Sequence, residues 1–288
     1  MSWDQLISLI INGLATGMLI FLLAAGLTLI FGLMDVLNFA HGAFFAWGAY
    51  TGAWIYAGTG SFIGGILGGI LAGIIIGFIM EKLTIQPVYG NPVSQILITM
   101  GVMLVLSELI KVFFGPNPVA TPVPALLDGS WAIGNIIIIK YRVFIILMGL
   151  VTLTGLSLLL NKSKIGLIIR AGVSNKEMVQ ALGINIKQVF AMVFMLGAGL
   201  AAFGGVLLGP YSGTIQPGIG FENQLLAFIV VVIGGLGSIG GSAMAGILVG
   251  LAGSFMAFYF PEGALAVNVL LMALVLLLKP KGLFNFRG

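Results

Sequence analysis

The stretch KSKIGLIIRAGVSNKEMVQALGINIK, from Lys162 to Lys187, is a polar and mostly cationic insert in an otherwise apolar chain. Apolar runs able to cross a membrane flank it, at about 142–161 before it and about 189–209 after it. A membrane protein keeps such a segment outside the lipid, where it can contact another molecule. The insert therefore predicts a membrane-spanning chain with one specialised loop, 162–188.

The composition places the whole chain in the membrane class. Hydrophobic residues make up 60% of the 288 residues and charged residues only 7%, and the mean hydropathy is +1.20. Soluble domains carry about a quarter charged residues, so we expect an integral membrane protein with one transmembrane domain, 1–288. The net charge of +4 lies in loops and tail, which indicates orientation and lipid contact rather than nucleic-acid binding. The absence of cysteine excludes disulfides and thiolate metal sites.

Apolar runs mark the expected spans. They fall at about 6–33, 40–57, 62–81, 94–114, 142–161, 189–209, 223–240, 242–259 and 264–278. The run after Asn38 is short and contains glycine, so it is either a crossing or a half-helix. The predicted fold class is an all-α integral membrane bundle of eight or nine transmembrane helices.

Basic residues predict the orientation. The cations of the insert and of the tail are Lys162, Lys164, Arg170, Lys176, Lys187, Lys279, Lys281 and Arg287. Both groups are expected in the cytoplasm. Four apolar runs separate them, and an even number of crossings returns the chain to the same side of the membrane. The segment 115–140 is then external, and its four prolines exclude helix there. The N-terminus is outside if nine runs cross and inside if eight do.

Glycines recur every fourth residue on two runs. One strip is Gly65, Gly69, Gly73 and Gly77, and the other is Gly197, Ala201, Gly205 and Gly209. Such strips let helix backbones approach closely in lipid. We expect packing within one subunit rather than a dimer seam or a sliding surface.

Capping signals predict a short helix inside the insert. Ser174 followed by Glu177 forms a capping box that starts a helix. Met178 and Leu182 lie on its apolar face, and Gly183 supplies the left-handed residue that ends it. Asn185 then starts the next span at about Val189. The insert is predicted to be a rigid lever at the membrane surface.

Glu177 with Gly183 six residues later resembles the EAA---G coupling motif of ATP-binding-cassette import permeases. In that family the helix inserts into a cleft on the nucleotide-binding subunit. Met178 and Val179 replace the two alanines, and the downstream Leu-Pro pair is absent, which indicates a divergent branch. The resemblance assigns coupling to the ATPase to Ser174, Glu177, Met178, Leu182 and Gly183.

Two longer stretches resemble the permeases of branched-chain amino-acid importers, including relatives for amides and urea. They are GLTLIFGLMDVLNFAHGAFFAWGAY (26–50) and FENQLLAFIVVVIGGLGSIGGSAMAG (221–246). RAGVSNKEMVQALGIN and ILITMG match the same family. The compact form resembles the first of the two permeases in such a system.

The resemblance implies a permease domain that imports branched-chain or related neutral amino acids across a bacterial-type inner membrane. It implies two ATP-binding-cassette ATPase subunits that bind ATP and magnesium, a second permease, and a periplasmic or extracellular substrate-binding protein. No cofactor and no metal are expected in this chain, and no enzymatic activity. The contacts expected are with protein partners and membrane lipid, not nucleic acid.

Two polar groups are candidates for the translocation path. The first is Asn38, His41 and Gly42, and the second is Glu222, Asn223 and Gln224. Polar groups between apolar runs are expected to face protein or water. Packed structural roles for Asn38 and His41, and simple helix capping for Glu222, are the alternatives.

The energy source separates two functions. The chain has no GxxxxGK[ST] sequence and so no phosphate-binding loop of its own. A proton-coupled transporter needs buried titratable groups, and Asp35, His41 and Glu108 are the plausible ones. Glu108 is expected to pair with Lys111. An ATP-driven importer is favoured; a secondary transporter or passive channel for small neutral solutes such as urea or amides is the alternative.

Overall fold

The computed structural model describes residues 3–134, 136–174 and 176–283, and helices dominate it. In chain order they are α1 Trp3–Met34, α2 His41–Thr59, α3 Phe62–Met80, α4 Pro92–Phe114, α5 Lys140–Lys162, α6 Lys164–Ser174, α7 Lys176–Ala181, α8 Ile186–Ser212, α9 Ile219–Gly234, α10 Ile239–Tyr259 and α11 Ala264–Leu278. Each of the nine predicted apolar runs corresponds to one of these helices. The all-α membrane fold is confirmed.

Six helices of the described ranges are long and apolar enough to cross a membrane, namely α1, α3, α4, α5, α8 and α10. α9 and α11 are shorter apolar helices. The run after Asn38 forms α2, which has 19 residues and so extends about 28 Å.

The described part of the chain has four short strands among these helices: β1 Val119–Ala120, β2 Ser130–Ile133, β3 Ile136–Ile139 and β4 Thr214–Ile215. β1 pairs antiparallel with β4, and β2 pairs antiparallel with β3 as a hairpin. Thr121 Oγ1 also donates to Gly209 O at 2.6 Å. Between 115 and 134 the chain is therefore non-helical apart from one 3₁₀ turn, Ala125–Leu127, and it is bonded to the end of α8.

Close backbone contacts fix how the inner helices run. α1 is antiparallel to α10, because Gly13 lies against Gly250 and Gly17 against Gly246. α1 is also antiparallel to α8, since Gly26 lies against Gly197 and Leu22 against Gly204. The start of α1 is therefore at the end of the bundle opposite the insert, which is the arrangement that the nine-span alternative predicts.

Both glycine strips pack inside the chain, as expected. Gly73 of α3 lies against Ala198 and Ala202 of α8, and Gly69 lies against the Gly48 carbonyl of α2. On α8, Gly205 meets the Phe45 carbonyl. A side chain at these positions would separate the helices, so the strips hold α2, α3 and α8 together.

The outward faces of α3, α4 and α5 are apolar. Residues more than half exposed on these helices include Ile63, Leu67, Leu71, Val93, Leu97, Leu104, Val105, Val112, Phe113, Leu147 and Val151. Such side chains suit contact with lipid tails. The buried core lies instead between α1, α2, α8, α9 and α10.

Candidate functional site

The insert contains two helices, where the sequence predicted one. α6 runs from Lys164 to Ser174, a segment for which the sequence analysis placed no helix. Gly166 lies against the carbonyls of Leu159 and Leu160, so α6 turns sharply back on α5. α7 begins at Lys176. The side chains of Ser174 and Glu177 lie outside the described residues, and the capping box remains a prediction.

The end of α7 is a tight turn that leads directly into α8. Gly183 has φ +80°, its N–H donates to Gln180 O at 2.9 Å, and the Ile184 N–H donates to Val179 O at 3.3 Å. These two bonds are those of a Schellman motif, which needs a left-handed residue at Gly183. The prediction that Gly183 ends the helix is confirmed.

Asn185 caps α8 two residues after that turn. Its Oδ1 accepts from the N–H of Lys187 at 3.1 Å and of Gln188 at 3.4 Å. The predicted start signal at Asn185 is confirmed. Because both sides of the turn are hydrogen-bonded, α7 and α8 are joined without a slack residue.

α7 carries an exposed apolar face outside the spans. Met178 is 62% exposed and Leu182 is 74% exposed, and the two are one helical turn apart. Val179, on the other side of α7, is 3% exposed. α7 is thus anchored by Val179 and presents Met178 and Leu182 outward.

A second candidate region is the break between α1 and α2, residues 35–40. Asp35 has φ +55°, and its N–H donates to Phe31 O at 3.0 Å, which ends α1. The chain then turns back along α1. His41 Nε2 lies 3.1 Å from Leu23 O, about three turns before the end of α1. α2 therefore begins well inside the bundle.

Gln224 of α9 stabilises this break. Its Oε1 accepts a short hydrogen bond from the backbone N–H of Gly42, and its Nε2 donates to Asn38 O at 3.3 Å. Asn38 Oδ1 accepts from the Ala40 N–H at 2.9 Å. Gln224 is 5% exposed and Asn38 is fully buried. One side chain thus satisfies two backbone groups of a non-helical segment inside the bundle.

α4 supplies a further partner for the break. Thr99 Oγ1 accepts from the Phe39 N–H at 3.2 Å, and Thr99 is fully buried. Thr99 was not among the residues predicted from the sequence. The available signal was a hydroxyl group within the apolar run 94–114, where a polar side chain needs a hydrogen-bond partner.

The other predicted path residues have different surroundings. His41 is fully buried and packs edge-on against Phe44. Within the described residues, His41 Nδ1 and Asn38 Nδ2 have no hydrogen-bond partner. The Gly42 backbone touches that of Gly220, which places the start of α9 at the depth of the start of α2. Asn38, His41, Gly42 and Gln224 therefore form one buried cluster.

Glu222 and Asn223 do not join that cluster. Glu222 is exposed, and its Oε1 accepts from Gln216 Nε2 at 3.1 Å. Asn223 Nδ2 donates to Ile219 O of its own helix at 2.9 Å. The exposed side of α9 also carries Phe221, 73% exposed, and Leu225, 55% exposed. A carboxylate thus lies beside two exposed apolar side chains on α9.

One buried acidic residue was missed. Glu81 follows α3 and is fully buried, and Tyr89 Oη donates to its Oε1. Its place beside Lys82 at the end of an apolar run is typical of a surface pair, so no signal in the sequence indicated burial. Glu108, by contrast, pairs with Lys111 at 2.6 Å, as predicted.

Comparisons with known proteins agree with the predicted family. Residues 9–279 match the family described as the branched-chain amino acid transport system permease component. The chain is 32% identical to the high-affinity branched-chain amino acid transport system permease protein BraD of Pseudomonas aeruginosa, over 96% of this chain and 94% of that protein. It is 31% identical to the LivH permease protein of Escherichia coli K12, over 95% and 94%.

LivM of Escherichia coli K12, also named a permease protein of the high-affinity branched-chain amino acid system, is 26% identical over 98% of this chain but 72% of its own length. The compact chain thus matches BraD and LivH over nearly their whole length. The predicted resemblance is confirmed. The chain belongs to the family of permease components of branched-chain amino acid transport systems.

Proposed function

We propose that the chain is the membrane subunit of an ATP-driven importer for branched-chain or related neutral amino acids in a bacterial-type inner membrane. The observation that carries the proposal is the exposed apolar face of α7, Met178 and Leu182, on a helix that lies outside the spans and is joined rigidly to α8. Exposed apolar side chains in water favour a protein partner.

The partner on α7 is an ATP-binding-cassette ATPase subunit. Met178 and Leu182 are spaced to enter one cleft, as expected for a short helix that docks into a groove. Because Gly183 and Asn185 leave no slack, motion of the docked subunit passes into α8. Two ATPase subunits bind ATP and magnesium, and this chain binds neither.

The substrate path lies along the exposed face of α9. Glu222 offers a carboxylate for the ammonium group of an amino acid, and Phe221 and Leu225 offer apolar walls for its aliphatic side chain. A charged side chain that faces lipid at the middle of the bilayer costs about 2.5 to 3.5 kcal/mol. An aqueous path at the boundary with a second permease subunit removes that penalty.

The buried cluster of Asn38, His41, Gly42 and Gln224 stabilises the helix that carries this path. Gln224 lies two residues after Glu222 and holds the break between α1 and α2 through Gly42 and Asn38. His41 packs beneath the same break. These residues fix the position of α9, so that Glu222 faces the path.

Reconstitution tests the proposal. The chain is purified from its native membrane under gentle conditions, and the co-purifying subunits are identified. The complex is then placed in proteoliposomes, and a substrate-binding protein is added outside them. We expect an ATPase and a second permease in the sample, and leucine uptake only with ATP inside. Uptake driven by a proton gradient without any ATPase contradicts the proposal.

A further inference from the structure

The elbow between α3 and α4, residues 81–91, contains a buried polar cluster outside the sites described above. A π-helical turn, Glu81–Ile85, and a 3₁₀ turn, Gln86–Val88, form its first part. Glu81 is fully buried and accepts a hydrogen bond from the Tyr89 hydroxyl. Gln95, 3% exposed, donates through Nε2 to Val88 O at 3.2 Å. Buried hydrogen bonds therefore hold the elbow in one shape.

The elbow is in contact with the first turns of α8. The Tyr89 ring packs edge-on against Phe190, with ring centroids 5.4 Å apart and an interplanar angle of 83°. Phe190 is the fifth residue of α8 and is 6% exposed. Two turns further along α8, Ala198 lies against Gly77 of α3. α3 and the elbow thus follow one continuous strip of α8.

That strip begins immediately after the turn that joins α7 to α8. The Schellman turn at Gly183 and the Asn185 cap fix the direction of the first turn of α8. A displacement of α7 therefore moves Phe190, and the Tyr89 ring lies against Phe190.

We propose that Glu81 and Tyr89 are positioning residues of the transport cycle. They make the elbow move as one body with the first turn of α8, so that a displacement of α7 reaches α3. The inference rests on the proposed function, because it takes the motion of α7 from a docked ATPase.

A hydrogen bond suits this task better than apolar contact alone. The hydrogen bond lies within the elbow, and because it is directional it holds the Tyr89 ring in one orientation against Phe190, which apolar contact by itself does not require. If the bond breaks, Glu81 is left buried with an unpaired carboxyl group, which is strongly unfavourable. The second carboxyl oxygen, Glu81 Oε2, has no hydrogen-bond partner within the described residues. The Tyr89 ring is therefore expected to keep its orientation against Phe190 throughout the cycle.

The first test separates uptake from hydrolysis in the assembled transporter in proteoliposomes. Tyr89→Phe removes the hydroxyl and keeps the ring on Phe190. We expect the number of ATP molecules hydrolysed per leucine imported to rise about tenfold, since a buried hydrogen bond is lost. Glu81→Gln keeps an acceptor oxygen for Tyr89 and should retain most of the coupling of hydrolysis to uptake. Glu81→Leu removes the acceptor and should raise the ratio of hydrolysis to uptake as Tyr89→Phe does.

Thr84→Val is the matched control. Thr84 lies in the same elbow, and its Oγ1 donates to Met80 O at 2.6 Å, but this bond makes no link to α8. The ratio of hydrolysis to uptake should stay within about twofold of the parent protein. If Tyr89→Phe and Glu81→Leu lower uptake and hydrolysis in parallel, or leave the ratio unchanged, the positioning role is wrong.

The second test locks the contact. The chain has no cysteine, so the pair Tyr89→Cys and Phe190→Cys gives it two unique thiols for a short bifunctional thiol reagent. Cross-linking should preserve or raise the ATP-dependent uptake of the double variant; a block of uptake shows that the elbow must leave α8 and overturns the proposal. If the parent protein imports leucine without any ATPase, the proposed function fails instead, so the two failures are distinguishable.

Discussion

The Oε1 atom of Gln224 accepts a hydrogen bond from the backbone N–H of Gly42, 182 positions earlier in the chain. Gly42 starts α2 inside the bundle, where its N–H has no partner within its own helix. Gln224 therefore supplies the hydrogen bond that water would give to a solvent-exposed helix end. Because this bond joins α9 to α2, the two helices keep a fixed position relative to each other.

Gln224→Leu should lower the stability of the protein. The substitution keeps the volume but leaves the Gly42 N–H and the Asn38 carbonyl without Gln224, and a buried unpaired group costs about 1 to 3 kcal/mol. We expect a lower thermal unfolding midpoint in detergent and loss of uptake. Asn223→Leu is the control, because Asn223 bonds only to its own helix. Equal effects of the two substitutions would contradict the role of Gln224.

Gly42→Ala should separate α2 from α9. A methyl group at Gly42 overlaps the Gly220 carbonyl, and such overpacking costs about 1 to 3 kcal/mol. Gly58 lies on the same helix with no atom near a built Cβ, so Gly58→Ala is the matched control and should be neutral or slightly stabilising. Thermal unfolding of both variants in one detergent measures the difference. A Gly42→Ala protein as stable as Gly58→Ala would show that the contact is not tight.

Charge on the exposed face of α7 should release the ATPase. Met178→Asp with Leu182→Asp replaces two exposed apolar side chains and leaves the buried Val179 intact, so the fold should survive. We expect co-purification of the ATPase subunit to fall at least about tenfold, since each buried apolar side chain contributes about 1.5 to 3 kcal/mol. Leu167→Asp on α6, where Leu167 is 61% exposed, is the control. Release by the control but not by the α7 pair would place the docking surface on α6.

The turn after α7 should be needed for coupling but not for insertion. Gly183→Pro cannot adopt φ +80°, and it also removes the N–H that donates to Gln180 O. We expect normal amounts in the membrane, with ATP hydrolysis uncoupled from uptake. Glu177→Lys should have the same effect if the capping box forms. Normal substrate-stimulated hydrolysis and uptake in both variants would count decisively against a coupling role.

Glu222→Gln should lower uptake and preserve assembly. The substitution keeps the hydrogen-bonding shape beside Gln216 but removes the charge that would meet a substrate ammonium group, a loss of about tenfold or more in uptake at low leucine concentration. Glu108→Gln, in an exposed pair with Lys111, is the control and should have little effect. Unchanged uptake in Glu222→Gln would reduce Glu222 to a helix-capping role.

The apolar helices were predictable because lipid demands about 20 apolar residues for each crossing, and this demand acts on sequence directly. The ends of the insert were predictable for a related reason. Gly183 and Asn185 form bonds with residues within five positions, so the signal and its result are both local. α6 was not predicted, although Ile165, Ile169 and Gly172 recur at helical spacing.

The candidate path was only partly predictable. Glu222, Asn223 and Gln224 are consecutive, and successive residues of a helix point about 100° apart. Only one of the three can meet α2, and the rotation of α9 decides which one. That rotation depends on the contact of Gly220 with Gly42, which no neighbouring residue reveals.

The membrane class, the positions of the apolar helices and the turn from α7 into α8 follow from the amino-acid sequence, since each depends on composition or on bonds within a few residues. Which polar side chains are buried depends on how the helices pack. Gln224 and Glu81 became internal and Glu222 remained on the surface because glycine contacts between distant helices set the rotation and depth of each helix.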